Sequence, residues 1–179
     1  MPRRQLTNRL ERMNKGLYVV MGVSGSGKSL IGAALARALG VDFVEGDQYH
    51  SAESVERMSS GIPLTDDDRA QWLRSLAGRI REAKDNGAGL VVTCSALKRS
   101  YRDILRVQAD NLQFVFLKGE PALIADRLAN RHGHFMPASL LQSQLATLEE
   151  PSPDEHAWVC DIGKSAQEIV DDIVARAIA

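Results

Sequence analysis

Two hydrophobic rhythms alternate along the chain. Residues 17–21 (Leu17, Tyr18, Val19, Val20, Met21) are apolar without a break, the pattern of a strand buried on both faces. Residues 30–39 then show a helical pattern that stops at Gly40, a residue suited to the left-handed position after a helix. Residues 42–45 predict a short strand, and residues 51–60 a helix with Ser51 as N-cap, broken by Gly61, Ile62 and Pro63. Thr65 precedes Asp66, Asp67 and Asp68, a strong helix start, and Trp72, Leu73, Leu76, Ile80 and Ala83 make the apolar stripe of that helix. Residues 90–94 predict a central strand, followed by a helix carrying Tyr101, Ile104 and Leu105. A strand over 112–117 leads to a helix from Pro121 toward Arg131, with proline in the first turn. Residues 132–137 interrupt it, and another helix carries Leu140, Leu141, Leu145 and Leu148. The last pair is a strand over 157–160 and a helix opened by a Ser165/Glu168 capping box, with Ile169, Val170, Ile173, Val174 and Ile178 on its buried face. Five strands alternating with helices predict a three-layer α/β/α fold, a five-stranded parallel sheet covered on both sides. Ligands of such sheets bind at the carboxyl ends of the strands.

Composition narrows the partners. The chain has 179 residues, of which 44% are apolar and 25% charged, as in one ordinary globular domain. That domain is expected over residues 17–179. The first 16 residues, with Arg3, Arg4, Arg9, Arg12 and Lys15 against Glu11, are expected to form a flexible basic extension. A net charge of −1 supplies no field for nucleic acid or for an anionic membrane, and no apolar stretch approaches the length of a membrane span. Cys94 and Cys160 each sit in an apolar stretch, which points to buried, reduced thiols in a cytoplasmic protein rather than to a disulfide.

The chemistry begins between the first strand and the first helix. Gly22, Val23, Ser24, Gly25, Ser26, Gly27, Lys28 and Ser29 form a G-x-x-x-x-G-K-[ST] phosphate loop in the strand–loop–helix setting it requires. Glycines let backbone N–H groups turn around phosphate oxygens, and the helix N-terminus adds partial positive charge. Lys28 can reach the β- and γ-phosphates, and the Ser29 hydroxyl can ligate Mg²⁺. ATP binding is the expectation, with Mg²⁺ as its metal. The second substrate belongs on the same rim. Asp47, after the second strand, suits a residue that orients an acceptor hydroxyl and takes its proton, though a turn after glycine also favours Asp. His50 can bond a polyol or simply start a helix. Lys98, Arg99 and Arg102 would serve an anionic acceptor, or else solvate a helix surface. Arg127 and Arg131 share a helix face before the break at 132–137, the layout of a lid over the transferring phosphoryl group or of an ordinary solvated helix end. His132, Gly133 and His134 read as hinge residues, with a weak metal signal. Asp66 and Asp67 read as helix-start carboxylates rather than Mg²⁺ ligands, with Arg69 beside them able to reach the cleft. The third strand ends without a Walker-B acid, which disfavours a motor or transporter ATPase and favours a small-molecule kinase.

These residues closely resemble the gluconate kinases (gluconokinases), shikimate-kinase-like members of the P-loop kinases. The resemblance is carried by residues 21–29, by Gly46 and Asp47 with His50, and by the run 61–69 with Trp72 and Leu73. Further on it is carried by residues 94–98 with Tyr101, Arg102 and Asp103, by residues 117–119, and by Arg127, Arg131 and residues 133–135. It implies a P-loop kinase fold with a mobile lid at about 127–140 and ATP-dependent phosphorylation of D-gluconate at its 6-hydroxyl. It also implies a homodimer. Lys28, Asp47, Arg127 and Arg131 are the expected catalytic residues, and the resemblance puts Asp47, His50, Arg69, Lys98 and Arg102 near gluconate, their individual contacts following from position and charge. Gly22, Val23, Ser24, Gly25, Ser26, Gly27, Lys28 and Ser29 bind ATP, Ser29 being the metal ligand, and residues 161–165 resemble a loop bordering adenine. Glu45 stands where related sequences often carry Asp, and Ile62 where Glu is frequent. The alternatives are a kinase for another hydroxy acid such as shikimate, or a nucleotide-binding protein without turnover.

Overall fold

The computed structural model describes residues 15–131 and 138–179. The first fourteen residues, and with them nearly all of the basic extension, lie outside the described residues. So do His132, Gly133 and His134, with the rest of 132–137, the middle of the expected lid.

Alternation inside the strands explains the three layers. In β1 (Leu17–Met21), Leu17, Val19 and Met21 enter one core while Tyr18 and Val20 enter another. Both faces of β1 are therefore apolar and both must be covered. The same division holds in β3 (Leu90–Thr93) and β4 (Gln113–Lys118), where Phe114 and Phe116 face one side and Val115 and Leu117 the other. With β2 (Asp42–Glu45) and β5 (Trp158–Asp161) they form one sheet in the order β2-β3-β1-β4-β5, every pair parallel. The phosphate-loop strand is thus central, and β2 reaches the sheet by crossing over to pair with β3.

The helices divide between the faces. Packed on one side are α3 (Asp66–Asp85), through Trp72, Leu73, Leu76 and Ile80, and α4 (Arg99–Arg106), through Tyr101 and Leu105. On the other side lie α1 (Lys28–Leu39), α5 (Pro121–Ala129), α6 (Ala138–Thr147) and α7 (Ala166–Ala177), through Leu35, Ile124, Leu141 and Ile173 among others. Between β2 and α3 runs α2 (Ala52–Ser59), where Ser51 accepts the Ser54 N–H at 3.1 Å. Local chemistry sets the ends. Thr65 and Asp68 exchange hydrogen bonds at the start of α3, as do Ser165 and Glu168 at the start of α7. Asp68 is therefore the capping acid of α3. Both cysteines are buried and unpaired, and burial pushes the Cys94 thiol up to about 12.

Candidate active site

Parallel pairing brings three strand ends to one rim: Met21 of β1, Glu45 of β2 and Thr93 of β3. The loops that leave them enclose a cavity of about 450 Å³. Residues 24–29 form one wall; Asp47, His50, Met58, Arg69 and Ser95 form the acceptor-side wall; Ile162, Lys164, Ser165, Ala166 and Ile169 close the far end.

The phosphate-loop wall is built for anions. Gly27 starts α1 at φ +93°, a left-handed conformation that glycine adopts without strain, and it contributes no side-chain cap. Among the described residues the N–H groups of Gly25, Gly27, Lys28 and Ser29 donate to no protein acceptor. Unpartnered donors at a helix start are the groups a phosphate satisfies. Lys28 is enclosed beside them, its Nζ donating to Val23 O at 3.0 Å. Burial lowers its pKa; Asp47, Cys94 and Glu45 oppose that shift, and Arg131 adds to it. Arg131 therefore acts on the same field as Lys28. Arg127 is placed differently, its Nη2 donating to Ile162 O at 2.8 Å. It braces the 161–165 loop rather than reaching for the phosphate loop.

The acceptor-side wall hangs from Thr93. Its hydroxyl accepts the Gly46 N–H at 3.0 Å and donates to the Glu45 carboxylate. A side chain on Gly46 would stand 1.8 Å from Thr93 O, so this turn admits only glycine. Trp72 donates its indole N–H to Gly46 O at 2.8 Å, and the His50 ring stacks on that indole with centroids 4.0 Å apart. His50 Nε2 is 4.0 Å from Asp47 Oδ1 and its side chain is only 4% exposed. Burial pulls its pKa down to about 4, outweighing the attraction of Asp47, so the ring is neutral at neutral pH. Its Nδ1 is buried and makes no hydrogen bond among the described residues. Arg69 lines the cavity and lies 5.7 Å over the Tyr101 ring, with Lys98 Nζ 5.6 Å from the same ring. Tyr101 and Lys98 both bond Asp66, which is drawn to this cluster.

One substrate-binding expectation is corrected. Arg102 does not face the cavity; its side chain is 0% exposed. Its Nε and Nη2 fork onto the two Glu155 oxygens at 2.7 and 2.8 Å, and its Nη1 donates to Ala96 O and Leu97 O. A guanidinium so enclosed needs its carboxylate and presents no face to the cavity. Arg102 thus holds the 95–98 loop from behind. Lys98 sits at the rim, next to Arg69, rather than in the cavity wall. Gln144 of α6, unmarked by any motif, also lines the cavity. Its signal was a polar residue at helical spacing between Leu141 and Leu148 on an apolar stripe.

A family model described as an AAA domain matches residues 17–151. The chain is 45% identical over 184 residues to a protein of Dictyostelium discoideum named probable gluconokinase, covering 94% of this chain and 92% of that protein. It is 55% identical over 137 residues to the gluconokinase of Gluconobacter oxydans, covering 76% and 77% of the two chains. The crystal structure of a gluconokinase from Sinorhizobium meliloti superposes with a TM-score of 0.83 at 49% identity, covering 91% of each chain.

Proposed function

The chain belongs to the gluconokinase family of P-loop kinases, and on that premise we propose that it transfers the γ-phosphoryl group of ATP to the 6-hydroxyl of D-gluconate, releasing 6-phospho-D-gluconate and ADP. One observation carries the reading: a single cavity joins the phosphate loop to a wall that combines Asp47, a neutral His50 and Arg69.

Each residue receives a task from its surroundings. The unpartnered amides of Gly25, Gly27, Lys28 and Ser29 take phosphate oxygens, and the Lys28 ammonium, anchored on Val23 O by one N–H, gives its others to the β- and γ-phosphates. Asp47, across the cavity from the loop, orients the 6-hydroxyl and accepts its proton as the O–P bond forms. Neutral His50 lines the same wall beside Asp47 and meets the substrate without adding charge. Arg69 and Lys98 supply positive charge for the gluconate carboxylate. Arg131 offsets negative charge on the transferring group, and Arg127 steadies the 161–165 loop at the nucleobase end.

Mg²⁺ suits this donor set. Among the described residues no cluster of three His, Cys, Asp or Glu side chains forms a metal cage. The Ser29 hydroxyl and the Asp47 carboxylate, both at the cavity, fit an ion held mainly by phosphate oxygens and water. Bound there, Mg²⁺ would neutralise charge on the β- and γ-phosphates. The homodimer and the cytoplasmic location belong to the same reading. Among the described residues no helix is long and apolar enough to cross a membrane.

The test is ADP release measured with D-gluconate, shikimate and nucleoside monophosphates as acceptors. Turnover with gluconate far above the others supports the proposal; release independent of gluconate refutes it.

A further inference from the structure

Gln144 reaches the phosphate loop from 120 positions away. Its Oε1 accepts the backbone N–H of Ser24 at 2.7 Å. That N–H belongs to the peptide unit joining Val23 to Ser24, and the carbonyl of the same unit, Val23 O, accepts the Lys28 ammonium at 3.0 Å. A peptide unit is planar, so its N–H and C=O turn together; holding one fixes the other. The unit lies in a tight turn, with Ser26 N–H closing on Val23 O at 3.2 Å and Gly25 at φ +80°. Ser24 is buried, and a buried amide deprived of its acceptor is costly enough to reorient the unit.

The position of this unit gives it a role distinct from the rest of the loop. The amides of Gly25, Gly27, Lys28 and Ser29 face the cavity and suffice to cradle the inner phosphates. Lys28 lies on the side where Asp47 is the strongest opposing charge, where the terminal phosphoryl group meets its acceptor.

We propose that Gln144 is a positioning residue for phosphoryl transfer, acting on Lys28 through the peptide unit between Val23 and Ser24. It sets the direction of Val23 O, and with it the place from which the ammonium engages the terminal phosphate. The effect therefore falls more on ATP and on turnover than on ADP, which offers the ammonium only its β-phosphate.

Gln144→Met keeps the bulk of the side chain and removes the oxygen; Gln144→Ala carries the same expectations if Met packs poorly. Calorimetry compares ADP with a non-hydrolysable ATP analogue, and steady-state kinetics follow gluconate. The expected result is a kcat lower by roughly tenfold or more, an analogue affinity lower by about fivefold, and ADP affinity and gluconate KM within about twofold of the parent. A folded variant with unchanged kcat, or one that loses ADP and analogue affinity equally, overturns the proposal. In the parent protein, amide exchange adds a check that needs no variant: the Ser24 N–H is protected, and exchange as fast as that of Gly25 also overturns it. The turnover arm rests on the gluconate reading, whereas the affinity ratio involves no acceptor, so failure of one is separable from failure of the other.

Discussion

The imidazole of His50 lies against the indole of Trp72, ring centroids 4.0 Å apart and planes 23° from parallel, while that indole donates its N–H to Gly46 O at 2.8 Å. The stack ties a cavity-lining ring to the turn that carries Asp47. Trp72→Phe keeps an aromatic face and loses the donor. The expected cost is about 1 kcal/mol of stability, with a raised gluconate KM and ATP KM unchanged. Thermal melts and steady-state kinetics measure both. Gly46→Ala, which drives a Cβ into Thr93 O, is expected to cost about 4 kcal/mol or more in the same melts.

His50 also sets a pH dependence. Its folded pKa of about 4 lies below the unfolded 6.5, so between those values the unfolded chain binds the extra proton. The stabilising effect of a neutral His50 is complete above pH 6.5 and is lost as pH falls toward 4, by at most about 3 kcal/mol. Glu155, held down to about 2 chiefly by the Arg102 fork, begins to lose its contribution only as pH falls through the ordinary carboxylate value of 4.5 and has lost it by about 2. Denaturant titrations from pH 7 to 4.5 therefore isolate the histidine, and His50→Gln should flatten that part of the curve.

Asp47→Asn preserves shape and removes the base. A fall in kcat of about 10²–10⁴-fold is expected, with ATP affinity retained by calorimetry. A near-normal kcat would leave Asp47 only an orienting task.

Arg102 and Lys98 are four apart on the sequence yet predict opposite phenotypes. Glu155→Ala strands a buried guanidinium and is expected to cost about 3–5 kcal/mol, read in the melting temperature and not as a selective rise in gluconate KM. Lys98→Ala loses an exposed pair with Asp66, so its melting temperature should move by no more than about 3 °C. Its gluconate KM should rise roughly tenfold, as for loss of a charged hydrogen bond.

Local information was well written in the chain. The helix caps at Thr65 and Ser165, the five strands and the glycine loop each depend on residues within a few positions, and each appears where its pattern indicates, to within a residue. Strand edges differ by a residue, as at β3, which stops at Thr93 because Cys94 lies past the last β2 pair. Non-local facts were not legible. The strand order depends on packing of both faces, and the burial of Arg102 depends on a carboxylate 53 positions later. From sequence, Lys98, Arg99 and Arg102 look like one basic surface. In the fold Lys98 meets Asp66, Arg99 meets Asp154, and Arg102 disappears inside. The separate tasks of Arg127 and Arg131 were hidden for the same reason, since the Ile162 carbonyl belongs to a loop 35 positions away.

The Arg102–Glu155 fork imposes an order on biosynthesis. A nascent chain released only through α5 already holds a guanidinium destined for the interior, with no anion to meet it. The loop behind β3 can lock only when the stretch around residue 155 leaves the ribosome, so the Lys98 end of the rim matures after the Asp47 turn, whose bonds to Trp72 and Thr93 need nothing made later than residue 93.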